Sequence, residues 1–283
     1  MASLDVVVVG QLARDLVLMV DEMPEQGTSA DARLRREMLG GKGANQAVAL
    51  AQLGARPALL AVRGDDQVGA DLLEQARRDG IDVSHVVCRP GTPTGLIVEA
   101  LDADGGWRYL QHLPDEVLLT VADVDAAAEA LRAADAVLVQ LQQPGPAALA
   151  AARHGRAGGA MVVLDGAPDS AERDELLQLA DVVRADEREA EMLGDVPDSV
   201  MLMVAKSDGN VLTWADGEVF VPLTDDKVVD TTGGGDALTA ALTVALLRGR
   251  SPQEAARFAV RASGATVGHP GGRPDLSGLS SEV

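Results

Sequence analysis

The chain has 283 residues, of which 47% are hydrophobic, enough for one large α/β domain with a substantial core. Its 44 acidic residues outnumber the 24 lysines and arginines, and the formal net charge of −20 excludes nucleic acids and anionic membranes as expected partners. No apolar run in the sequence approaches the ~18 residues of a membrane-spanning helix, so we expect no membrane partner.

The N-terminus and the cysteine content predict the compartment. Residues 1–5 lack the basic segment of a secretory signal peptide and lead directly into a short strand, so we expect no signal peptide. The single cysteine, Cys88, cannot form a disulfide within the chain, and the four histidines show no metal-ligand spacing. We therefore expect a cytoplasmic protein.

Short apolar runs alternate with helical patterns along most of the chain. Residues 5–10 are typical of a buried parallel strand, and no Gly-x-Gly-x-x-Gly follows them, which argues against a dinucleotide-binding fold. The later predicted strands are residues 55–62, 136–141, 160–165, 182–185 and 200–205. The predicted helices are residues 42–53, 68–79, 124–134, 146–154, 170–180 and 188–193. This alternation predicts an α/β fold with a doubly wound, mostly parallel sheet flanked by helices.

Two regions, residues 12–39 and 94–113, interrupt this alternation. Each contains two stretches of alternating character around a turn-rich segment, at residues 16–20 and 34–38 in the first region and at 96–101 and 107–110 in the second. We expect β-hairpins inserted into a single domain that spans residues 1–283. The pattern alone does not distinguish plain surface hairpins from a small sheet with a function.

The most informative motif is Asp-Thr-Thr-Gly-Gly-Gly-Asp at residues 230–236. It follows a strand-like stretch at residues 227–230 and precedes an apolar helical pattern at residues 237–247. Glycines allow the backbone to come close to a ligand, and the free N–H groups at a helix start favour an anion. A carboxylate held there takes a proton from a nucleophile while the amides stabilise charge, as phosphoryl transfer requires. A glycine-rich helix cap without chemistry is the alternative interpretation.

This motif resembles the C-terminal signature of the ribokinase-like (PfkB-type) carbohydrate kinases. A second stretch, Gly-Gly-Lys-Gly-Ala-Asn-Gln-Ala at residues 40–47, resembles the N-terminal signature of the same family and is closest to the ribokinase branch. The resemblance runs from residue 6 to about residue 274. It implies that the two hairpin regions form a small β-sheet lid, often also a homodimer interface. It also implies an ATP-dependent kinase for a primary hydroxyl of a small sugar, with ribose as the first candidate.

The resemblance assigns catalytic roles within residues 230–236. Asp236 is implied to be the general base that accepts the proton of the sugar hydroxyl. The amides of Gly233, Gly234 and Gly235 are implied to form the anion hole. For Asp236 alone, an acid favoured by the dipole at a helix start is the alternative.

The resemblance also implies a set of sugar contacts. These residues are Asp15, Gly41, Lys42, Asn45, Gln142 and Asp236. Recognition of a polyol needs several converging donors and acceptors, although Lys42 and Asn45 alone fit an ordinary helix start equally well. Two positions depart from the ribokinase pattern, because Ala13 stands in place of an asparagine and Gln142 in place of an acid. The identity of the furanose therefore stays open.

Residues 186–189 occupy the position of an Asn-x-x-Glu motif that, in the family, manages Mg²⁺ and phosphate. Glu189 matches this motif and is the implied Mg²⁺ residue, while Asp186 replaces the asparagine. The extra carboxylate either binds Mg²⁺ or repels the nucleotide. A solvated acidic helix start is the alternative interpretation.

Residues 204–209 align with a segment that wraps the nucleotide in the family. Ser207 and Gly209 match the pattern, whereas Val204 and Asp208 depart from it. Lys206 is the expected source of the missing positive charge. The implied ATP contacts are therefore Asp186, Glu189, Lys206, Ser207, Gly209, Gly233 and Gly235.

The resemblance further implies a monovalent cation, K⁺, beside the anion hole. By position its ligands would be Asp230, Thr232, Thr266, His269, Gly271 and Asp275. Asp275 replaces a more usual serine and adds negative charge to such a site. An ordinary loop histidine is an equally good interpretation of His269.

Two alternatives to a ribose kinase remain. The first is a kinase for another furanose or a nucleoside, against which the low aromatic content of 2% weighs mildly. The second is a non-catalytic sugar-binding regulatory protein on the same scaffold, suggested by the altered nucleotide segments. The intact glycines and Asp236 favour a kinase over this second alternative.

Overall fold

The computed structural model describes residues 3–104, 106–168, 171–226, 228–268 and 271–282. Its strands are β1 (Asp5–Val9), β2 (Ala13–Met19), β3 (Leu34–Gly40), β4 (Arg56–Gly64), β5 (Val86–Arg89), β6 (Leu96–Leu101), β7 (Trp107–His112), β8 (Ala136–Gln140), β9 (Met161–Asp165), β10 (Val182–Asp186), β11 (Met201–Ala205), β12 (Gly209–Trp214) and β13 (Gly217–Pro222). Its helices are α1 (Lys42–Gln52), α2 (Gln67–Arg78), α3 (Val121–Ala126), α4 (Ala128–Ala133), α5 (Gly145–Gly158), α6 (Arg173–Leu179), α7 (Glu187–Leu193), α8 (Gly234–Leu247) and α9 (Pro252–Val267).

A large sheet forms the centre of the described structure, in the strand order β13-β12-β11-β10-β9-β8-β1-β4-β5. The strands from β11 to β5 in this order pair in parallel, and β12 and β13 extend one edge antiparallel. Parallel strands buried on both faces are expected to be continuously apolar, and β1 and β8 show this pattern.

Alternate residues of β1 belong to opposite faces of this sheet. Val6 and Val8 pack in a cluster with apolar residues of α1, α2, α8 and α9. Val7 and Val9 pack in a second cluster with residues of α3, α4, α5 and α6. Since successive side chains of a strand point to opposite faces, one short run supports two helical layers. The predicted fold class, a doubly wound α/β sheet covered by helices, is confirmed.

The two predicted hairpins combine into a second, small sheet in the order β3-β2-β6-β7. The pairs β2–β3 and β6–β7 are antiparallel, and β2 joins β6 in parallel. Register places Ile97 opposite Gln111, Glu99 opposite Tyr109, and Asp15 beside Ile97. Directly paired residues share a face, so these five side chains lie on one side of the small sheet.

Some local predictions differ from the structure. Residues 228–230 form no strand; the amides of Val229 and Asp230 instead donate to the carbonyl of Val267, and Lys227 lies outside the described residues. The helix predicted at 124–134 is divided at Ala127 into α3 and α4. Sequence reasoning also did not assign β5, β12, β13 or α9. A capping box of Ser251 and Glu254, with proline at the first helical position, was an available signal for α9.

No helix in the described ranges is both long and apolar enough to cross a bilayer.

Candidate active site

A cavity of about 420 Å³ lies where the carboxyl ends of the central strands meet the small sheet. In open α/β sheets this edge is the usual ligand site. The lining residues are Gln11, Asp15, Gly41, Lys42, Asn45, Ile97, Glu99, Trp107, Tyr109, Gln111, Gln142, Arg184, Asp186, Thr231, Thr232, Gly233, Gly235 and Asp236. The cavity thus brings together most of the sugar-contact and catalytic residues predicted from the two motifs.

The start of α1 forms one wall of the cavity. Gly41 precedes the helix with φ of 87°, and a Cβ there would lie 2.9 Å from the carbonyl oxygen of Gln11. Only glycine adopts this conformation and tolerates this contact without strain. The turn therefore positions Lys42 and Asn45, in the first turn of α1, beside the end of β1.

The start of α8 forms the facing wall. Gly233 precedes the helix with φ of 72°, and a Cβ there would collide with the carbonyl oxygen of Gly272. Among the described residues, no side chain caps this helix start. Because the first amides of a helix lack intrahelical partners, Gly234 and Gly235 stand where an anion would be favoured.

Asp236 lies in the first turn of α8 and is 5% exposed. Its carboxylate accepts hydrogen bonds from Asn45 Nδ2 at 3.2 Å and from Gln46 Nε2 at 3.5 Å. Burial raises the pKa of Asp236 to about 7; the ammonium of Lys42 opposes the increase and the carboxylate of Asp165 adds to it. A carboxyl group with this pKa exchanges a proton readily near neutral pH.

Asp165, at the end of β9, is 3% exposed and lies behind Asp236. It accepts from Gln46 Nε2 at 2.6 Å and from Arg184 Nη1 at 3.4 Å. Burial alone would lower the pKa of Lys42, but the carboxylates of Asp165 and Asp236 outweigh it and raise that pKa. Lys42 is therefore a charged cation next to Asp236.

Asp15, on β2, brings a second carboxyl group with a raised pKa into the cavity. Burial raises the pKa of Asp15 to about 7, and the charges of Glu99 and Asp236 add to the effect. Its Oδ1 is buried and has no hydrogen-bond partner among the described residues. A buried unpaired oxygen facing a polar cavity is suited to a ligand hydroxyl.

Side chains of the small sheet reach the loop that precedes α8. Tyr109 donates its hydroxyl to Glu99 Oε1 at 2.8 Å, and Thr232 donates to the same oxygen at 2.9 Å. The hydroxyl oxygens of Tyr109 and Thr232 also lie in contact with each other. Burial raises the pKa of Glu99, and the charge of Asp230 raises it further. This network fastens the small sheet onto residues 230–236.

Several of these residues were not singled out from the sequence. Glu99 and Tyr109 lie on β6 and β7, where the period-two alternation was a signal that they share a face. Asp165 and Arg184 lie near the ends of predicted parallel strands, where ligand sites form. A search for polar residues at the ends of the predicted strands would therefore have found Asp165 and Arg184.

Asp186 and Glu189 are joined by a capping box at the start of α7. Asp186 Oδ1 accepts from the amide of Glu189 at 2.7 Å, and Glu189 Oε2 accepts from the amide of Asp186 at 2.8 Å. Asp186 also lines the cavity, whereas Glu189 does not. An acidic helix start, the alternative interpretation of residues 186–189, is thus their local structure. Asp186 also lines the cavity.

Residues 206–208 form the turn between β11 and β12 and Gly209 begins β12, all outside the lining of the cavity. The amide of Lys206 donates to the carbonyl of Gly209 at 2.8 Å. Lys206 and Ser207 are exposed, and Gly209 is buried. The cation that the sequence suggested for a nucleotide is therefore not in the cavity.

The residues predicted to bind K⁺ are only partly brought together. Asp230 is buried and accepts from the amides of Thr232 at 2.8 Å and Gly271 at 2.6 Å. The hydroxyl of Thr266 donates to Ala262 within α9, and exposed Asp275 accepts from Ser277. His269 lies outside the described residues. In the part of the chain that the structure describes, no three His, Cys, Asp or Glu residues are grouped as a metal site.

Comparison with known proteins identifies the family. The chain matches the model of the pfkB family carbohydrate kinases over residues 3–277. It is 30% identical over 284 residues to a ribokinase of Bacillus subtilis (strain 168), covering 95% of this chain and 96% of that protein. It is 29% identical over 253 residues to a deoxyribokinase of Salmonella typhi, covering 83% of each. A solved structure of Arabidopsis thaliana ribokinase complexed with ribose and ATP has a TM-score of 0.81 at 26% identity, with 98% of both chains covered. The resemblance inferred from the two glycine motifs is confirmed: the chain belongs to the pfkB family of carbohydrate kinases and is a sugar kinase.

Proposed function

We propose that this protein transfers the γ-phosphoryl group of ATP to a primary hydroxyl of a small furanose, with ribose as the first candidate. The observation that carries the proposal is the buried Asp236, with its raised pKa, directly after the glycine amides that begin α8. The similarity to ribokinases of Bacillus subtilis and Arabidopsis thaliana, the latter solved with ribose and ATP, supports the same reaction.

In the proposed reaction Asp236 accepts the proton of the sugar hydroxyl as its oxygen attacks the γ-phosphorus. A new oxygen–phosphorus bond forms, the bond to the β-phosphate oxygen breaks, and ADP leaves with that electron pair. The amides of Gly233, Gly234 and Gly235 stabilise the charge on the transferring group. Asn45 holds Asp236 in place from α1 through its hydrogen bond, and the charge of Lys42 favours the ionised carboxylate that accepts the proton.

The sugar would be held by Asp15, Gly41, Lys42, Asn45 and Gln142. Asp15 offers an oxygen without a partner in the described structure, and Gln142 lies at the cavity edge as a neutral donor and acceptor. Gln142 is neutral where the ribokinase pattern has an acid, and Ala13 has no polar side chain where that pattern has an asparagine, so we expect one charged contact and one polar contact fewer than the pattern implies. The change bears on which furanose is preferred.

The two cations of the proposed reaction would be placed by separate residues. Asp186 would bind the Mg²⁺ of the nucleotide, because its carboxylate lines the cavity and Glu189 lies beside it as its capping partner. Mg²⁺ would neutralise the triphosphate there. Asp230 and Thr232 fit a K⁺ site because they adjoin each other at the anion hole, with Gly271 bound to Asp230. ATP would also contact residues 206–209 outside the cavity.

The small sheet would act as the lid of this single catalytic unit, with the lid segments at residues 12–39 and 94–113. The hydrogen bonds from Tyr109 and Thr232 to Glu99 supply the contact between lid and catalytic loop. A second copy would pair through the edge strands β3 and β7, since edges present unpaired backbone groups. Sedimentation velocity over a concentration series tests this homodimer.

The test of the proposed function is a coupled ADP-release assay with ATP, Mg²⁺ and K⁺ against pentoses, hexoses and nucleosides. We expect sugar-dependent ADP release from the natural protein and its loss in Asp236→Asn. Absence of release with every acceptor, from folded protein that still binds a sugar, would overturn the proposal in favour of a non-catalytic sugar-binding protein.

A nucleoside is the second candidate acceptor, and the positions of two aromatic residues favour it. Tyr109 is the only tyrosine of the chain and Trp107 is one of two tryptophans, yet both line the cavity with ring centroids 4.8 Å apart. Trp107 is 53% exposed and so is open to stacking on a planar ring. From the sequence, the low aromatic content weighed mildly against a nucleoside. The position of these two rings in the cavity removes that argument.

The two candidates are separated by the variant Trp107→Ala. If the acceptor is a nucleoside, kcat/KM for nucleosides falls about tenfold or more, as expected for loss of base stacking, while that for ribose is unchanged. Leu110→Ala on the same strand is the matched control, because Leu110 is 73% exposed and does not line the cavity. Equal small effects on both acceptors would exclude the nucleoside candidate.

A further inference from the structure

Two cations, Lys42 and Arg184, lie among the residues that line the cavity. In a chain with a net charge of −20, a site for a triphosphate needs positive charge close to the phosphate groups. The sequence suggested Lys206 for this purpose, but Lys206 is exposed on the β11–β12 turn. Lys42 is next to Asp236 and on the side of the sugar contacts, so Arg184 is the cation left for the phosphate side.

Arg184 lies on β10 and packs directly against the start of α8. A Cβ added to Gly235 would lie only 2.7 Å from Nη2 of Arg184. The absence of a side chain at Gly235 thus admits the guanidinium to the backbone of the predicted anion hole. Arg184 and Gly235 line the same cavity as Asp236.

The acidic neighbours of Arg184 leave part of its hydrogen-bonding capacity unused. Nη1 lies 3.4 Å from Asp165 Oδ1 and 3.9 Å from Glu189 Oε2, both longer than a good charged hydrogen bond. Nε is buried and has no hydrogen-bond partner among the described residues. A guanidinium that is 12% exposed and incompletely paired is suited to an anion with several acceptor oxygens, such as a phosphate.

Arg184 remains charged in this position. Burial by itself would lower the pKa of the guanidinium, but the carboxylates of Asp165, Glu189 and Asp236 outweigh burial and raise it. The residue therefore contributes a permanent positive charge and takes no part in proton transfer.

We propose that Arg184 contacts the transferring phosphoryl group and stabilises the negative charge that it carries in the transition state. The inference rests on the proposed kinase function and adds a catalytic residue to it. Asp236 still receives the hydroxyl proton, and Arg184 keeps its own protons throughout. Its guanidinium acts together with the glycine amides, in the way that a positioned arginine serves other phosphoryl-transfer enzymes. A purely structural role as the counter-charge of buried Asp165 is the competing explanation.

The first experiment measures kcat and KM of Arg184→Met and Arg184→Lys with the best acceptor. We expect Arg184→Met to lower kcat roughly 10²-fold to 10³-fold, the usual effect of one electrostatic group, with KM for the sugar nearly unchanged. Arg184→Lys keeps the charge but loses the planar fork, so we expect an intermediate kcat. Arg188→Met is the matched control, because Arg188 is an exposed arginine four positions later on α7.

Chemical rescue separates loss of the positive charge from loss of packing. Added guanidinium ion is expected to restore part of the kcat of Arg184→Ala but not that of Asp236→Asn. A small cation in the vacated space restores charge and not packing, so recovery of kcat would exclude loss of packing as the cause. Retention of kcat within about threefold in Arg184→Met would overturn the proposal.

Loss of folding is a separate risk, because Arg184→Met leaves Asp165 buried with a weaker counter-charge. The double variant Asp165→Asn/Arg184→Met removes both charges and is compared with Asp165→Asn alone. A kcat that stays low in the folded double variant supports the phosphoryl contact, whereas recovery to the level of Asp165→Asn assigns Arg184 a structural role. Absence of any sugar-dependent ADP release from the natural protein would instead mark failure of the proposed kinase function.

Discussion

The sugar side and the nucleotide side of this protein are built in different ways. On the sugar side, α1 and α8 meet through contacts between distant parts of the chain, such as the hydrogen bond from Asn45 to Asp236. On the nucleotide side, Asp186 and Glu189 bind each other in a local capping box, and residues 206–208 form a hairpin turn. The sugar side, whose two glycine motifs match the family pattern, is also the side with buried acids of raised pKa. Buried titratable groups assembled by long-range contacts are a stronger indication of chemistry than polar residues satisfied locally.

Among the variants that test this difference between the two sides, Asp236→Asn should have the largest effect on turnover. We expect turnover to fall by roughly 10²–10⁴, the usual contribution of a positioned base, while sugar affinity changes little. Steady-state kinetics and calorimetric sugar binding measure the two quantities, with Asp216→Asn in the exposed β12–β13 turn as control. Unaltered turnover would show that Asp236 is not the base, and the proposed difference between the two sides would no longer hold.

Replacement of Gly233 by alanine tests whether the start of α8 depends on backbone geometry. The residue has φ of 72°, and its Cβ would collide with Gly272, so we expect a loss of stability of about 1–3 kcal/mol or more. We also expect a large loss of kcat, because the amides that follow would move. Gly54→Ala is the matched control, with φ of 80° and open space around the added Cβ. Urea unfolding and kinetics that show the same effect for both variants would contradict this explanation.

The pH dependence follows from the pKa values of Asp15 and Asp236, which the fold raises from 3.8 to about 7. Between these values the native state binds more protons than the unfolded state, so the free energy of unfolding decreases as pH rises toward 7. This stabilising contribution is complete below pH ~4 and is lost above pH ~7. Activity runs in the opposite direction, and kcat/KM should fall about tenfold per pH unit below the pKa of the base.

A pH–rate profile and urea unfolding at several pH values check these two trends. The double variant Asp15→Asn/Asp236→Asn should show a flatter dependence of unfolding free energy on pH between ~4 and ~7. An undiminished slope in the double variant would assign the pH dependence to other groups.

The smallest expected effect belongs to the nucleotide side, in Asp186→Asn. Asparagine is as good a helix N-cap as aspartate, so the free energy of unfolding should change little. If Asp186 assists Mg²⁺, the Mg²⁺ concentration for half-maximal rate should rise about tenfold. Glu187→Gln, in the first turn of the same helix, controls for the loss of one charge. An unchanged Mg²⁺ dependence would mean that Asp186 serves only as a helix cap. The two sides would then differ in function as well as in construction.

Much of the fold and about half of the candidate site were predictable from local patterns. Apolar runs, helix periodicity and the two glycine motifs depend on neighbouring residues, so they predicted the doubly wound sheet, the family and the positions of Lys42, Asn45 and Asp236. The strand predicted at residues 227–230 was wrong for residues 228–230, since the amides of Val229 and Asp230 donate to the carbonyl of Val267 at the end of α9 and not to a sheet neighbour.

The amino-acid sequence by itself determined where the backbone turns tightly before α1 and α8, because only glycine accepts the conformations of Gly41 and Gly233. Only the tertiary structure decided which side chains surround Asp236, since Asn45 is 191 residues away along the chain and Arg184 reaches Gly235 from strand β10. Burial and neighbouring charges set the pKa of a carboxyl group, and both depend on packing between distant segments. For this reason the motifs predicted the chemistry, while the charged surroundings that tune it emerged from the fold.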